Sequence, residues 1–206
     1  FIPFESLFPY RRKKIFRKQF AIDLCYYFLN RFISTFLLAV PFGLLVYVLS
    51  FLPIKGMHVA VAAWPFTVKL ITGIIIGEIG AYWAHRLMHV IPLLWKFHAI
   101  HHSAEEMDWL VNSRIHPVEV VFMRMFQFVP LYLCGFIQVD RYDAGALMIL
   151  IPLISAIWGY FIHANTKLRL GCLEYIVTSP VFHHWHHTND SPKLHNHNYA
   201  SLLPVM

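Results

Sequence analysis

Four long apolar stretches dominate the chain, running roughly from Arg31 to Leu52, Phe66 to Ala84, Val118 to Ile137 and Ala144 to Ile162. Each comes close to the roughly 20 residues that carry an α-helix across the hydrocarbon core of a bilayer. Lipid offers the backbone no hydrogen-bond partners, so such runs must fold as helices. The expected class is therefore all-α, an integral membrane protein with about four transmembrane helices. Pro41 and Pro130 fall inside two of the runs, which membrane helices tolerate. Of the 206 residues, 58% are hydrophobic and 14% charged, against about a quarter charged in a soluble domain. Short connections at Pro53–Pro65 and Gln138–Asp143 turn consecutive runs into hairpins, with a re-entrant or shallow helix as the alternative for one pair. Ile15 to Leu29 reads either as an amphipathic interfacial helix or as the beginning of the first span. No linker, repeat or second domain is visible, so residues 1–206 are read as one membrane domain, the body of a longer protein.

Charge sets the expected orientation. The N-terminal segment holds Arg11, Arg12, Lys13, Lys14, Arg17, Lys18 and Arg31, whereas the two hairpin loops hold only Lys55 and Arg141. Cytosolic loops carry the excess of Lys and Arg, which places the N-terminus in the cytosol. Four crossings then return His85–Pro117 and His163–Met206 to the cytosolic face as a helical cap. The net charge of +6 lies beside apolar runs, so it serves topology and anionic lipid rather than nucleic acid. Cys25, Cys134 and Cys172 are odd in number and lack metal-type spacing, which fits a reducing compartment.

Fourteen histidines are the outlier, because imidazole is costly near lipid. His85 and His89 stand four apart on one helical face at the end of the second run; Arg86 occupies the position where a zincin would carry its glutamate. His98, His101 and His102, and later His183, His186 and His187, repeat one i, i+3, i+4 pattern, three side chains in one narrow helical stripe. Interfacial hydrogen-bonding explains scattered histidines but not the same triplet twice on one side. His116 opens the third run and His163 closes the fourth, both at the same membrane edge; His58 alone falls on the other. Eight to ten imidazoles exceed the four to six ligands of one ion, so a dimetal site is expected. Imidazole suits iron, zinc, copper and nickel alike. The choice of two iron ions needs a functional argument: zinc is redox-inert, whereas paired iron can activate dioxygen against an unactivated C–H bond, and zinc can still occupy the positions in overexpressed protein.

The order H-x-x-x-H, H-x-x-H-H, a lone His and H-x-x-H-H between four apolar runs resembles the fatty acid hydroxylase and sterol desaturase superfamily. His101-His-Ser-Ala-Glu-Glu-Met-Asp-Trp109, Asn112-Ser-Arg-Ile-His-Pro117, His163-Ala-Asn165 and Phe182-His-His-Trp-His-His187 are similar to its bacterial sterol-desaturase-like branch. The resemblance implies His85, His89, His98, His101, His102, His116, His163, His183, His186 and His187 as metal ligands. His184 departs from the pattern and reads as an outer-shell or solvent-facing residue, with a triplet using it as the alternative; His195 and His197 read as surface histidines. Glu78 shares a helical face with Tyr82, His85 and His89, where it is placed to accept the outer N–H of a ligand ring; Asp108, Asn112 and Asn165 are candidates for the same work. Glu105 and Glu106 read as a solvated helix start. Arg114 and Arg124 either hold a headgroup or pair with Glu119.

The family implies a membrane-bound di-iron oxygenase that hydroxylates or desaturates a lipid (sterol-like, fatty acyl or ether lipid) with O2. The chain has no flavin, dinucleotide or cytochrome-like fingerprint, so electrons come from a separate donor, cytochrome b5-like, ferredoxin or reductase. The alternatives are a membrane haem-binding electron carrier, which needs single histidines inside opposing spans, and a metal transporter, which needs ligands at the bilayer midplane, where the runs offer chiefly Glu78, Lys69 and Arg124.

Overall fold

A computed structural model describes residues 1–138, 142–188 and 197–205. These form eight α-helices: α1 (Ile2–Leu7), α2 (Phe20–Leu49), α3 (Lys55–Ala62), α4 (Phe66–Val90), α5 (Pro92–His98), α6 (Pro117–Leu133), α7 (Tyr142–His163) and α8 (Pro180–His186). Single 3-10 turns occupy His101–Ser103, Trp109–Ser113 and Gly171–Tyr175. Among the described residues there is no strand, only one antiparallel bridge between Pro9 and Thr166. The all-α expectation holds.

Among the described residues, two or three helices are long and apolar enough to be the expected spans. Helices α4 and α7 are each long and apolar enough to cross a membrane, and α2 makes a third if its halves, Phe20–Ile33 and Phe36–Leu49, bent by 41°, are one span. The third apolar run becomes α6, only 17 residues long. It stops because Gly135 takes a left-handed φ of +81°, a conformation that suits glycine and ends a helix. Glu119, Arg124 and Gln127 also interrupt its apolar character. Of the two readings of Ile15–Leu29, the continuous one applies from Phe20 onward, since α2 begins there.

Helix α4 is the hub. Gly73, Gly77 and Gly80 recur along it, and a Cβ added at Gly80 would lie 2.0 Å from the carbonyl oxygen of Phe126. Only a glycine lets α4 and α6 approach this closely, as small residues do between membrane helices. On the opposite face Ile71, Ile75, Ile79 and Trp83 recur every fourth residue and are exposed, an outward apolar stripe suited to lipid. Val61, Leu131, Phe136, Ile137, Leu147 and Ile151 form an apolar cluster at the end remote from the clustered histidines. There His58 Nε2 lies 2.9 Å from the Tyr132 carbonyl, tying α3 to the end of α6, and Lys69 pairs with Asp143.

At the other end the N-terminal segment is bound to the cap by a buried ion lattice. Arg17 donates to both oxygens of Asp108, at 2.6 and 2.8 Å, and also to Asp23; Arg114 donates to the other oxygen of Asp23. Lys13 adds a contact to Asp108 at 3.2 Å. Glu5 accepts the backbone N–H groups of Trp109 and Asn165, at 2.9 and 2.7 Å. Asn30 on α2 donates to the carbonyls of Ser113 and Ile115.

Candidate metal centre

Nine histidines meet where α4, α5, α7 and α8 end. His85, His89, His98, His102 and His186 form one group, and His101, His163, His183 and His187 a second; within each, the ring nitrogens lie within 4.8 Å of one another. The triplets do not act as single stripes. His98 ends α5 and His101 starts a 3-10 turn, which rotates the rings apart. His98 and His102 join the first group while His101 joins the second; His183 of α8 and His187 at its C-cap join the second while His186 joins the first. Each H-x-x-H-H segment contributes to both groups.

Outer hydrogen bonds fix the protons on several rings. Nδ1 of His85 meets the Tyr199 carbonyl at 2.7 Å, that of His186 the His197 carbonyl at 2.6 Å, and that of His163 the Gly159 carbonyl at 2.6 Å. Nδ1 of His101 meets the Arg114 carbonyl at 3.3 Å, and that of His98 meets Glu119 Oε1 at 2.6 Å. Carbonyl oxygens only accept, so Nδ1 carries the proton and Nε2 of a neutral ring presents a lone pair. Yet Nε2 of His85 lies 3.0 Å from Nε2 of His98 and 2.9 Å from Nε2 of His186, and Nε2 of His163 lies 3.1 Å from Nε2 of His101. Two lone pairs facing each other without a proton repel. Burial, with the neighbouring imidazoles, holds His98, His101, His102, His183, His186 and His187 well below the ordinary histidine range, so protonation does not relieve the clash.

These separations suit a metal. Two nitrogens each about 2.0–2.1 Å from one ion lie about 2.9 Å apart at a right angle and about 3.4 Å apart at the tetrahedral angle. The Nε2 pairs fall between 2.9 and 3.2 Å, including His102–His98, His183–His163 and His187–His183. Buried Nδ1 atoms of His102, His183 and His187 have no hydrogen-bond partner among the described residues. An all-imidazole, neutral donor set of this kind fits a divalent transition metal.

The remaining expected site residues lie elsewhere. His116 joins neither group: it caps α6, accepting the Val118 N–H on Nδ1 at 3.1 Å, and its ring packs on Phe97. Glu78 touches no ligand ring in these contacts; it accepts from Ser155 at 3.2 Å and from the Leu202 N–H at 3.0 Å. Asp108 serves the ion lattice instead, and Asn165 bonds the backbone of Arg11 with both ends of its amide. Asn112 lies against Gly159, where a Cβ would come within 2.8 Å of its oxygen. His184 turns away from both groups, its Nε2 3.3 Å from the His163 carbonyl, and burial lowers its pKa to about 4. His195 lies outside the described residues, and His197 contributes its carbonyl rather than its ring. Sequence reasoning missed Glu119 as the partner of His98; its place two residues after Pro117 reads as ordinary charge compensation at a helix start. Arg114 pairs with Asp23, and Arg124 donates to Gln127 at 3.1 Å.

Beneath both groups a cavity of about 680 Å³ opens between α2, α4, α6 and α7, reached by His85, His98, His101, His163 and His183. Its size suits a small-molecule or lipid site.

The family model described as fatty acid hydroxylase matches residues 70–206. Ornithine lipid hydroxylase OlsE of Rhizobium tropici is 35% identical over 143 residues, 69% of this chain and 40% of that protein. Alkylglycerol monooxygenase of Xenopus tropicalis is 31% identical over 128 residues, 62% of this chain and 26% of that protein. A very-long-chain aldehyde decarbonylase, GL1-6 of Oryza sativa subsp. indica, is 29% identical over 133 residues, 60% of this chain and 19% of that protein. The chain thus spans well under half the length of these relatives. No solved structure matches. The match takes in α4 beyond its first turn and everything that follows, including all nine clustered histidines, and on that ground the chain belongs to the fatty acid hydroxylase family, a family of oxidoreductases.

Proposed function

We propose that this chain is a membrane-bound dimetal oxygenase that oxidises a C–H bond of a lipid, using O2 and electrons from a separate donor protein. The observation that carries the reading is the pair of buried histidine groups whose Nε2 lone pairs converge, opening on a cavity within the helix bundle. His85, His89, His98, His102 and His186 would hold one ion, and His101, His163, His183 and His187 the other. Iron is the reading for both, since the relatives are named for hydroxylase, monooxygenase and decarbonylase activities.

When bound, a pair of redox-active irons supplies the activation of dioxygen. The chain's own part is placement. The Tyr199, His197, Gly159 and Arg114 carbonyls and Glu119 hold protons on Nδ1, so that the rings turn Nε2 inward. Residues of α2, α4, α6 and α7 line the cavity in front of the rings. Lipid reaches it sideways between helices, and the carbon to be oxidised is presented to the groups from the membrane side. The Lys and Arg excess of the N-terminal segment supports a cytosolic location for the histidine cap. Hydroxylation is favoured over desaturation because relatives 35% and 31% identical carry hydroxylase and monooxygenase names.

Elemental analysis of protein made in iron-supplemented medium tests the ligand set. Near two irons per chain are expected, and a His101→Ala/His102→Ala variant, which removes one nitrogen from each group, is expected to lose most of both. Freshly purified, folded protein without stoichiometric metal would overturn the reading. With metal present, lipid product made under 18O2 is expected to carry the label; an unlabelled product profile would overturn hydroxylation.

A further inference from the structure

Arg124 is a charged side chain in the wall of α6. It lies eight residues into α6 and lines the cavity, its Nη1 donating to Gln127 Oε1 at 3.1 Å. Among the described residues no carboxylate pairs with it. The two acidic side chains of the same cavity are engaged otherwise: Glu119 with His98, and Glu78 with Ser155 and the Leu202 N–H. In a membrane protein an ionisable side chain that faces the interior of the helix bundle characteristically marks a ligand or ion path. The Gln127 amide gives its oxygen to Arg124, which leaves its N–H groups to donate elsewhere. Arg31 brings a second guanidinium to the cavity from α2.

We propose that the cavity receives the anionic head of a lipid, a carboxylate or phosphate, on Arg124 and Gln127. This rests on the lipid-oxidising reading above and names the substrate class. The planar fork of arginine matches both anions through paired hydrogen bonds. Arg124 follows Glu119 by five residues, about 7.5 Å along the helix axis. A head anchored there places a carbon close to the head, not the far end of the tail, beside the histidine groups.

Native mass spectrometry of the metal-loaded full chain in detergent, with dioleoyl phosphatidic acid and dioleoylglycerol as probes, separates the possibilities. The wild type is expected to bind the phosphatidic acid at least about tenfold more tightly than the neutral lipid of identical chains. Arg124→Met is expected to abolish that preference, Arg124→Lys to keep part of it and Gln127→Leu to weaken it, all with unchanged bound metal. If Arg124→Met fails to fold, the other two variants decide. Equal binding of both probes by the wild type, a preference that survives in the folded variants, or displacement of the lipid by equimolar inorganic phosphate would overturn the proposal. Absence of metal from the wild type would instead strike the oxygenase reading, and it is read in the same spectra.

Discussion

Glu119 Oε1 accepts the Nδ1–H of His98 at 2.6 Å, with both side chains buried. The carboxylate therefore aims Nε2 of His98 at Nε2 of His85, and raises the electron density of the ring as outer carboxylates do in metal sites. Glu119→Leu is expected to lower metal affinity by about 10–100-fold, as loss of such partners generally does. Glu119→Gln keeps an acceptor oxygen and should cost less. Chelator competition followed by elemental analysis reads both.

Asp23 is shared by two arginines, Arg17 and Arg114, and all three are buried. Removing one member of a buried ion cluster leaves unpaired charge and costs about 3–5 kcal/mol. Asp23→Asn is expected to lower the thermal unfolding midpoint by many degrees. It should also loosen metal held by His101, because the Arg114 carbonyl that orients His101 belongs to the residue freed. Differential scanning fluorimetry in detergent, with and without added metal, distinguishes the two effects.

Gly80→Ala is expected to prevent a monodisperse fold. Its methyl group would meet backbone of α6, the Phe126 carbonyl, which cannot swing aside as a side chain does. Gly56→Ala, with nothing within 4 Å, should behave as wild type. Size-exclusion profiles of the two variants provide the comparison.

Acidification should destabilise the metal-free protein. His184 titrates near 4 in the folded chain and the six clustered cap histidines lie well below their ordinary value, all chiefly through burial. In the unfolded chain they titrate near 6.5. Between that value and the folded ones the unfolded state binds more protons, so stability is full above pH 6.5 and falls as pH drops toward 4. Thermal midpoints of the apoprotein measured at pH 7.5, 6 and 5 should decline in that order.

Much of this was legible in sequence. Nine of the ten histidines expected as ligands fall into the two groups, because i, i+3 and i+4 spacing brings rings together whether the backbone stays α-helical or tightens to 3-10. That spacing does not reveal that each triplet divides between two groups, its i and i+4 rings going to one and its i+3 ring to the other. His116 stands outside both groups, because its membrane-edge position is also that of the cap of α6, where its Nδ1 accepts the Val118 N–H. The third span shortened because the hydropathy of Val118–Ile137 runs on through a glycine turn. The pairings of Glu119 with His98 and of Asp23 with Arg114 were beyond reach because the partners lie 21 and 91 residues apart, joined only by packing.

The division of the triplets carries a consequence for biosynthesis. Four members of the first group, His85 to His102, emerge from the ribosome within 18 consecutive residues, whereas the second group has only His101 and His163 until α8 has been made. The first group is thus nearly complete while the chain is still growing, and the second waits for the last helix. Because α8 then supplies His186 to one and His183 and His187 to the other, a single docking event finishes both. Translation order thus brings the first group together ahead of the second.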